Sequence, residues 1–149
     1  TEVADVNTAR TESSGLGTQT AAFMVSGRTS PGSSGCTANV ESWNGSAWTE
    51  VGDLNEGRSL VAGGGTSNTA ALAFGGYPGS GRTGKTESFN GTSWTELADL
   101  SAARGRQSNG PIGTQGSSLS VSGHPPSFPL TQATEEFTAP VANKTITST

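Results

Sequence analysis

Acidic residues recur in a regular pattern and are the first candidates for chemistry in this chain. Carboxylates at fixed spacing can act as general acids and bases or as Ca²⁺ ligands, but a Ca²⁺ loop needs several oxygen ligands at close alternating spacing, which no stretch supplies. An arginine follows each repeated Asp by about five positions. We therefore expect each unit to rebuild one turn or one Arg–carboxylate ion pair that has a structural role. The residues concerned are Glu2, Asp5, Arg10, Glu50, Asp53, Arg58, Glu96, Asp99 and Arg104.

Three further candidates for chemistry each lack a necessary component. His124 is the only histidine, so a catalytic triad or a metal site would need partners that the sequence does not place beside it. Cys36 lies in a Gly/Ser-rich stretch without a neighbouring basic residue in the sequence that would activate its thiol. The segment Gly79–Thr86 has the spacing of a phosphate-binding loop, but a β-type run follows where a helix must begin. The sequence therefore predicts no metal, no nucleotide and no other cofactor.

The composition favours an all-β protein built from short strands and many turns. Among 149 residues there are 22 glycines, 30% are hydrophobic and 13% are charged, and the net charge is −4. Low charge with abundant Thr and regularly placed aromatic residues is typical of strands, and no apolar 3.6-residue stripe predicts a helix. The mild acidity argues against nucleic acid as a partner, and no apolar run of membrane-spanning length occurs. The chain begins at Thr1 without Met, as expected of a processed protein or a piece of a longer one.

One β module occurs three times along the chain. The segment Val40–Leu54 is a close copy of Thr86–Leu100, and one aspartate position recurs after about 48 and then about 46 residues. Such a period is typical of propellers and solenoids. We predict one repeat domain over residues 1–140, with repeats at about 1–48, 49–94 and 95–140, followed by a polar tail at 141–149.

The sequence of the second repeat predicts four strands, and the first and third repeats depart from this arrangement. Asn44-Gly45 and Asn90-Gly91 stand where a tight hairpin requires positive φ. Thr1–Val3 resembles the fourth strand of a preceding unit, whereas the third repeat lacks its own fourth strand. The strands predicted for the second repeat are approximately Ser59–Gly64, Ala70–Phe74, Lys85–Phe89 and Ser93–Leu97.

These residues resemble kelch repeats, in which each repeat forms one four-stranded blade of a β-propeller. The likeness rests on an arginine after a turn, a glycine pair ending an apolar strand, an aromatic residue and then a tryptophan. The aromatic residues are expected to pack between blades. The matching residues are Arg58, Gly75, Gly76, Phe89 and Trp94 in the second repeat, Arg10, Ser26, Gly27, Trp43 and Trp48 in the first, and Arg104, Gly123 and Phe137 in the third.

The number of repeats leaves three arrangements open. Propellers close with four to eight blades, so three units do not close a ring. Two chains could supply six blades, the chain could be the C-terminal part of a longer propeller, or it could form an open β array with its edges paired to other subunits. The sequences of the repeats also resemble those of repeat proteins predicted in marine bacteriophage and environmental bacterial genomes. This resemblance implies a virion or extracellular surface location.

Two functions from different classes follow from this resemblance. The first is a non-enzymatic structural or adhesive module that contacts other protein subunits or a surface glycan, with Tyr77 and Phe128 as the loop aromatics that would stack on a sugar. The alternative is a fragment of a carbohydrate-active propeller enzyme. That enzyme would need clustered His, Tyr, Cys or acidic residues, and here the single His, Tyr and Cys lie in different repeats.

Overall fold

The computed structural model describes residues 2–31, 35–107, 112–127 and 130–138, and the regular structure of this part is β. The all-β class predicted from the composition is confirmed, since the strands form three antiparallel sheets, none of which closes on itself. Sheet 1 contains β1 (Ser14–Thr18), β2 (Ala21–Arg28), β3 (Cys36–Trp43) and β4 (Trp48–Glu50). Sheet 2 contains β5 (Ala62–Gly64), β6 (Ala71–Phe74), β7 (Thr86–Phe89) and β8 (Trp94–Glu96). Sheet 3 contains β9 (Gly113–Thr114), β10 (Ser117–Val121) and β11 (Thr134–Thr138).

Each sheet is a simple meander in which consecutive strands are neighbours. The order is β1-β2-β3-β4 in sheet 1 and β5-β6-β7-β8 in sheet 2. Sheet 3 has the order β9-β10-β11, and in the described residues no fourth strand pairs with β11. The predicted tail at 141–149 lies outside the described residues.

The Asn-Gly hairpins differ in detail from the predicted turn. The pairs Trp43–Trp48 and Phe89–Trp94 close loops of four residues, so these connections are longer than a two-residue turn. Only the glycines have positive φ, +96° at Gly45 and +99° at Gly91. Each asparagine instead accepts two backbone N–H bonds at its side-chain oxygen, at 2.9 and 3.0 Å for Asn90. The asparagine therefore stabilises the loop as a side-chain acceptor.

The main core lies between sheets 1 and 2. We call the side of each sheet that points toward the next sheet its forward face, and the opposite side its rear face. Phe23 on the forward face of sheet 1 meets Phe89 edge-on, with ring centroids 5.1 Å apart, and lies 6.4 Å from the ring of Trp94. Ala71 and Ala73 leave room on the rear face of sheet 2 for these rings. This aromatic cluster is the principal contact between neighbouring sheets.

A smaller and looser core joins sheets 2 and 3. Leu72 and Phe74 on the forward face of sheet 2 are buried, and Phe137 of β11 packs against them. A cavity of about 240 Å³ remains beside Phe74 and Phe137. The third repeat contains no tryptophan, so the contact between sheets 2 and 3 has no counterpart of Trp94, which packs between sheets 1 and 2.

Candidate functional site

A buried arginine pairs with a glutamate of the third strand in each sheet. The arginine lies in the segment before the first strand, and its side chain is fully buried in all three sheets. The Nη–Oε distance is 2.6 Å in sheet 2 and also 2.6 Å in sheet 3. The pairs are Arg10–Glu41, Arg58–Glu87 and Arg104–Glu135.

The observed partners of the arginines differ from those that the sequence led us to expect. The acidic residues that the repeat spacing places near each arginine in sequence, such as Asp53 and Glu50, are exposed. The actual partner comes from the third strand, about 30 residues along the chain, because the antiparallel meander returns that strand to the arginine. The missed sequence signal is the acidic residue two positions before the repeated aromatic, as in Glu87-Ser88-Phe89.

The same carboxylate also binds the start of the segment that carries the arginine. The backbone N–H and side-chain Nδ2 of Asn7 donate to one oxygen of Glu41, at 2.7 and 2.9 Å. Asn55 repeats both bonds to Glu87, at 2.8 and 2.7 Å. Burial raises the pKa of Glu41, but the bonds from Asn7 and Thr8 and the charge of Arg10 outweigh it, and the pKa is lowered. These groups therefore fix the linker to the sheet, which is a structural role.

The glycine pair has one backbone geometry in all three sheets. Gly75 and Gly76 have φ of +64° and +116°, and Ser26-Gly27 and Ser122-Gly123 differ from these angles by no more than about 10°. The N–H of Gly76 donates to the carbonyl of Arg104 at 2.9 Å, so this kink joins one sheet to the next. Serine at the first position therefore preserves the geometry at the cost of a left-handed conformation.

The residue after the glycine pair differs from sheet to sheet. Arg28, Tyr77 and His124 occupy this position, and each forms an antiparallel bridge with the residue that follows the buried arginine. The backbone arrangement is thus repeated while the side chain changes completely. A second row behaves in the same way: Glu12, Leu60 and Arg106 all have φ between +53° and +58°.

Backbone hydrogen bonds join this second row into one line across the three sheets. The N–H of Leu60 donates to the backbone carbonyl of Glu12 at 2.9 Å, and the N–H of Arg106 donates to the backbone carbonyl of Leu60 at 3.1 Å. We call the two rows together the inner rim. The inner rim consists of Glu12, Arg28, Leu60, Tyr77, Arg106 and His124.

Three cavities follow the inner rim. One of about 450 Å³ lies between Glu12 and Arg28, one of about 310 Å³ between Glu12, Leu60 and Arg106, and one of about 290 Å³ between Arg106 and His124. Consecutive cavities share a lining residue, first Glu12 and then Arg106. Together they form a shallow groove that crosses all three sheets.

Polar contacts fix the first half of this groove. The guanidinium of Arg28 lies 3.3 Å from Glu12, donates to the hydroxyl of Ser59 at 3.2 Å, and has its central carbon 5.8 Å from the Tyr77 ring centroid. The Tyr77 hydroxyl donates to the carbonyl of Gly79 at 2.8 Å. These bonds hold an aromatic face, a cation and a carboxylate side by side, a combination suited to hydrogen bonding and stacking.

Of the residues singled out from the sequence, Tyr77, Cys36 and His124 lie on or near this rim, whereas the repeated carboxylates such as Asp53 are not part of it. Tyr77 is half-buried on the rim, whereas Phe128 lies outside the described residues. Cys36 and Tyr77 come from different repeats, but the thiol of Cys36 donates to the Tyr77 carbonyl at 3.2 Å, so the fold brings them together. Nδ1 of His124 lies 2.9 Å from the carbonyl oxygen of Pro125. Strand β7 begins at Thr86, so a strand follows the glycine-rich segment, as predicted.

Neither a metal cluster nor a membrane-spanning helix occurs in the described residues. No group of three or more His, Cys, Asp or Glu residues in this part of the chain could hold a metal ion. Across the same residues, no helix has the length and apolar character needed to cross a membrane.

Comparisons with known proteins show the fold alone. No protein-family model matches the chain, and no curated protein matches it. In all, 103 chains of solved structures match, among them one titled "Structure of YjhT", with a TM-score of 0.69 and 12% sequence identity. The match covers 90% of this chain and 43% of that chain, so this chain spans less than half of the YjhT structure. The chain is therefore similar in fold to a part of YjhT.

Proposed function

We propose that this chain is a kelch-like repeat module of a β-propeller and that it acts as a non-enzymatic structural or adhesive surface. The proposal rests on the contrast between the buried features that recur in the sheets and the side chains of the inner rim, which vary. The arginine–glutamate pair and the glycine kink recur in all three sheets and the aromatic pair recurs in sheets 1 and 2, whereas the inner-rim side chains differ at every repeat. Repeat proteins commonly use such a scaffold to present variable contact residues.

Two further observations support assigning the sheets as propeller blades. Each complete sheet is a four-stranded antiparallel meander, and neighbouring sheets stack face against face through aromatic side chains. Across the stack, the first strand β5 of sheet 2 contacts the first strand β1 of sheet 1 and the second strand β10 of sheet 3. The fold likeness to YjhT extends over 90% of the chain and agrees with this assignment.

The inner rim is the contact surface that we propose for a protein or a glycan. Tyr77 offers an aromatic face, and Arg106 and His124 offer polar groups along the adjoining cavities. Sugars and peptide backbones both combine apolar faces with hydrogen-bonding groups, which this mixture matches. From its sequence, Phe128 is a second stacking residue of the same proposal.

A glycan array probed with the 149-residue chain tests this contact surface. We expect binding to fall about tenfold or more in Tyr77→Ala and Arg106→Ala, since each removes a rim side chain while leaving the buried pairs in place. Phe128→Ala is probed in parallel. Lys85→Ala is the matched control, because Lys85 is a partly exposed cation that pairs with Glu56 away from the rim. Equal binding by all four variants would contradict a glycan site at the rim.

A propeller enzyme is the second candidate, and the observation that favours it is that the Cys36 thiol reaches the backbone carbonyl of Tyr77, although the Tyr77 hydroxyl bonds to Gly79. Glycosidase, lyase and carbohydrate oxidase assays combined with metal analysis separate the two functions. The non-enzymatic proposal predicts background turnover and no stoichiometric metal. Robust turnover that is lost in Cys36→Ser or Tyr77→Phe would support the enzyme instead.

We also propose that the module resides on a virion or another extracellular surface. The support is the sequence resemblance to repeat proteins predicted in bacteriophage and environmental bacterial genomes. Quantitative mass spectrometry of purified native particles, with copy number per particle, tests this location. Absence of the chain from washed particles and from the surface fraction would contradict it.

A further inference from the structure

The two end sheets of the three-sheet stack each expose a face whose counterparts in the other sheets are buried within the stack. On the rear face of sheet 1, Trp43 and Trp48 form a ring pair with centroids 5.3 Å apart at an angle of 41°. Phe89 and Trp94 form the same pair on the rear face of sheet 2, at 5.2 Å and 44°. Phe23 of sheet 1 covers the second pair and leaves Trp94 only 5% exposed. In the described chain no forward face covers the first pair, and Trp48 is only half-buried.

Within the part of the chain that the structure describes, no sheet covers the forward face of sheet 3 either. Phe23, Leu72 and Leu119 occupy one repeat position, as their pairing with the preceding strand and their distance from the glycine kink show. Phe23 is 1% exposed and Leu72 is 0% exposed, but Leu119 is 38% exposed. The N–H of Leu119 donates to the carbonyl of Ile112, and these two side chains with Val121 form the apolar part of the end face. Glu136, which is exposed, lies directly opposite Leu119 on the same face, where sheets 1 and 2 carry a serine.

The two end faces are complementary because the stack already contains two contacts of this type. The forward face of sheet 1 packs on the rear face of sheet 2, and the forward face of sheet 2 packs on the rear face of sheet 3. A cavity of about 450 Å³ on the rear face of sheet 1, lined in part by Ala22, Trp43 and Trp48, lies where a Phe23-like side chain would enter. The partner that fits must therefore present the forward face of a sheet of this kind.

We infer that the partner is a second copy of this chain, docked head to tail. Its Leu119 would cover Trp43 and Trp48 as Phe23 covers Phe89 and Trp94, and the reciprocal contact would close a ring of six sheets. A head-to-tail contact closes when its rotation divides a full turn, and six sheets lie within the four to eight of propellers. This inference rests on the proposed propeller module and specifies its protein partner.

The outer edge of β11, which no strand of the described residues pairs with, fits the same partner. In sheet 1, Glu41 pairs with Glu50 of the fourth strand, and Glu2-Val3 repeats the sequence of Glu50-Val51. Val3 is 66% exposed. In the closed ring, Glu2 and Val3 of one copy would lie beside β11 of the other, where no fourth strand pairs with β11 among the described residues.

Sedimentation velocity and native mass spectrometry of the 149-residue chain test this ring. We expect a species of twice the mass of one chain, and we expect Leu119→Asp or Ala22→Lys to weaken it about 30-fold or more, as loss of a central interface anchor does. Leu130→Asp is the matched control, because Leu130 is 61% exposed but lies on neither end face. This control should assemble normally.

Mixing the two weakened variants tests the head-to-tail geometry. A pair of one Leu119→Asp copy and one Ala22→Lys copy has one unaltered interface and one in which Asp faces Lys, so we expect the dimer to return on mixing. A monomeric parent chain, open polymers, or a Leu119→Asp variant that remains dimeric would each overturn the ring. Ligand binding measured on monomeric Leu119→Asp shows separately whether the proposed contact function stands.

Discussion

At the scale of single residues, the buried arginine–glutamate pairs are the most sensitive points of each sheet. Glu87 is fully buried, and it accepts bonds from Arg58 and Asn55. Replacing it leaves the Arg58 charge buried without its counterion. We expect Glu87→Gln to lower the free energy of unfolding by about 3–5 kcal/mol in urea denaturation.

Glu96→Gln is the matched control for this substitution. Glu96 stands directly opposite Glu87 in the strand pairing but is exposed. Its replacement should change the free energy of unfolding by no more than about 0.5 kcal/mol. Similar losses in the two variants would show that the buried pair does not carry the stability that we assign to it.

The lowered pKa of Glu41 predicts acid sensitivity. A carboxyl whose folded pKa lies below its unfolded value stabilises the fold above the unfolded value, which is about 4.3 for glutamate. That contribution declines as the pH falls below the unfolded value and is lost once the pH has passed the lowered folded pKa. We therefore expect the difference in unfolding free energy between the parent chain and Glu41→Gln to shrink as the pH is lowered from 7 to 3. A constant difference across this range would contradict the assignment.

At the scale of the strand elements, the glycine kink determines how each second strand ends. Gly76 has φ of +116°, and a Cβ there would lie 2.8 Å from the carbonyl oxygen of Ser59. Because the obstacle is backbone, we expect Gly76→Ala to lower the free energy of unfolding by more than about 1 kcal/mol. Gly15→Ala in β1 is the control, since a Cβ at Gly15 would have no atom within 4 Å and the φ of Gly15 is not positive. Thermal melts of the two variants should separate clearly.

The third sheet shows how an element can exchange apolar packing for a polar network. Ser118 and Ser120 replace apolar residues in β10 and are buried. Nη2 of Arg104 donates to the Ser120 hydroxyl at 3.0 Å, and that hydroxyl donates to Gln107. These bonds satisfy the Ser120 hydroxyl and Nη2 of Arg104, whereas Nη1 of Arg104 has no hydrogen-bond partner among the described residues. The decay of the apolar pattern in the third repeat therefore does not abolish the strand.

At the scale of the whole molecule, residues at the same repeat position contribute differently to the free energy of unfolding, according to where their sheet lies in the stack. Phe23 is buried between sheets 1 and 2, whereas Leu119 is at the end face. We expect Phe23→Ala to lower the free energy of unfolding by about 3–5 kcal/mol. Leu119→Ala should cost less than about 1 kcal/mol when measured on dilute, monomeric protein. Equal costs in urea denaturation would contradict the stacking order of the three sheets.

The sequence by itself determined the class of structure and the repeated plan. Alternating Thr and apolar residues, Asn-Gly loops and the recurrence of the module predict three antiparallel sheets, because strand pairing and turn formation depend mainly on neighbours in the chain. The local spacing also predicts a strand after Gly79–Thr86 in place of a helix, and β7 begins there. The aromatic pairs Trp43–Trp48 and Phe89–Trp94 follow from the same hairpins.

Only the tertiary structure decided which distant residues meet. The partner of Arg58 is Glu87, and Cys36 reaches Tyr77 from another repeat, because these contacts depend on how whole strands return and how sheets stack. The line formed by Glu12, Leu60 and Arg106 has no local sequence signature, since hydrogen bonds between sheets create it. The candidate contact surface is therefore a product of stacking, whereas the sheets that carry it are a product of local sequence.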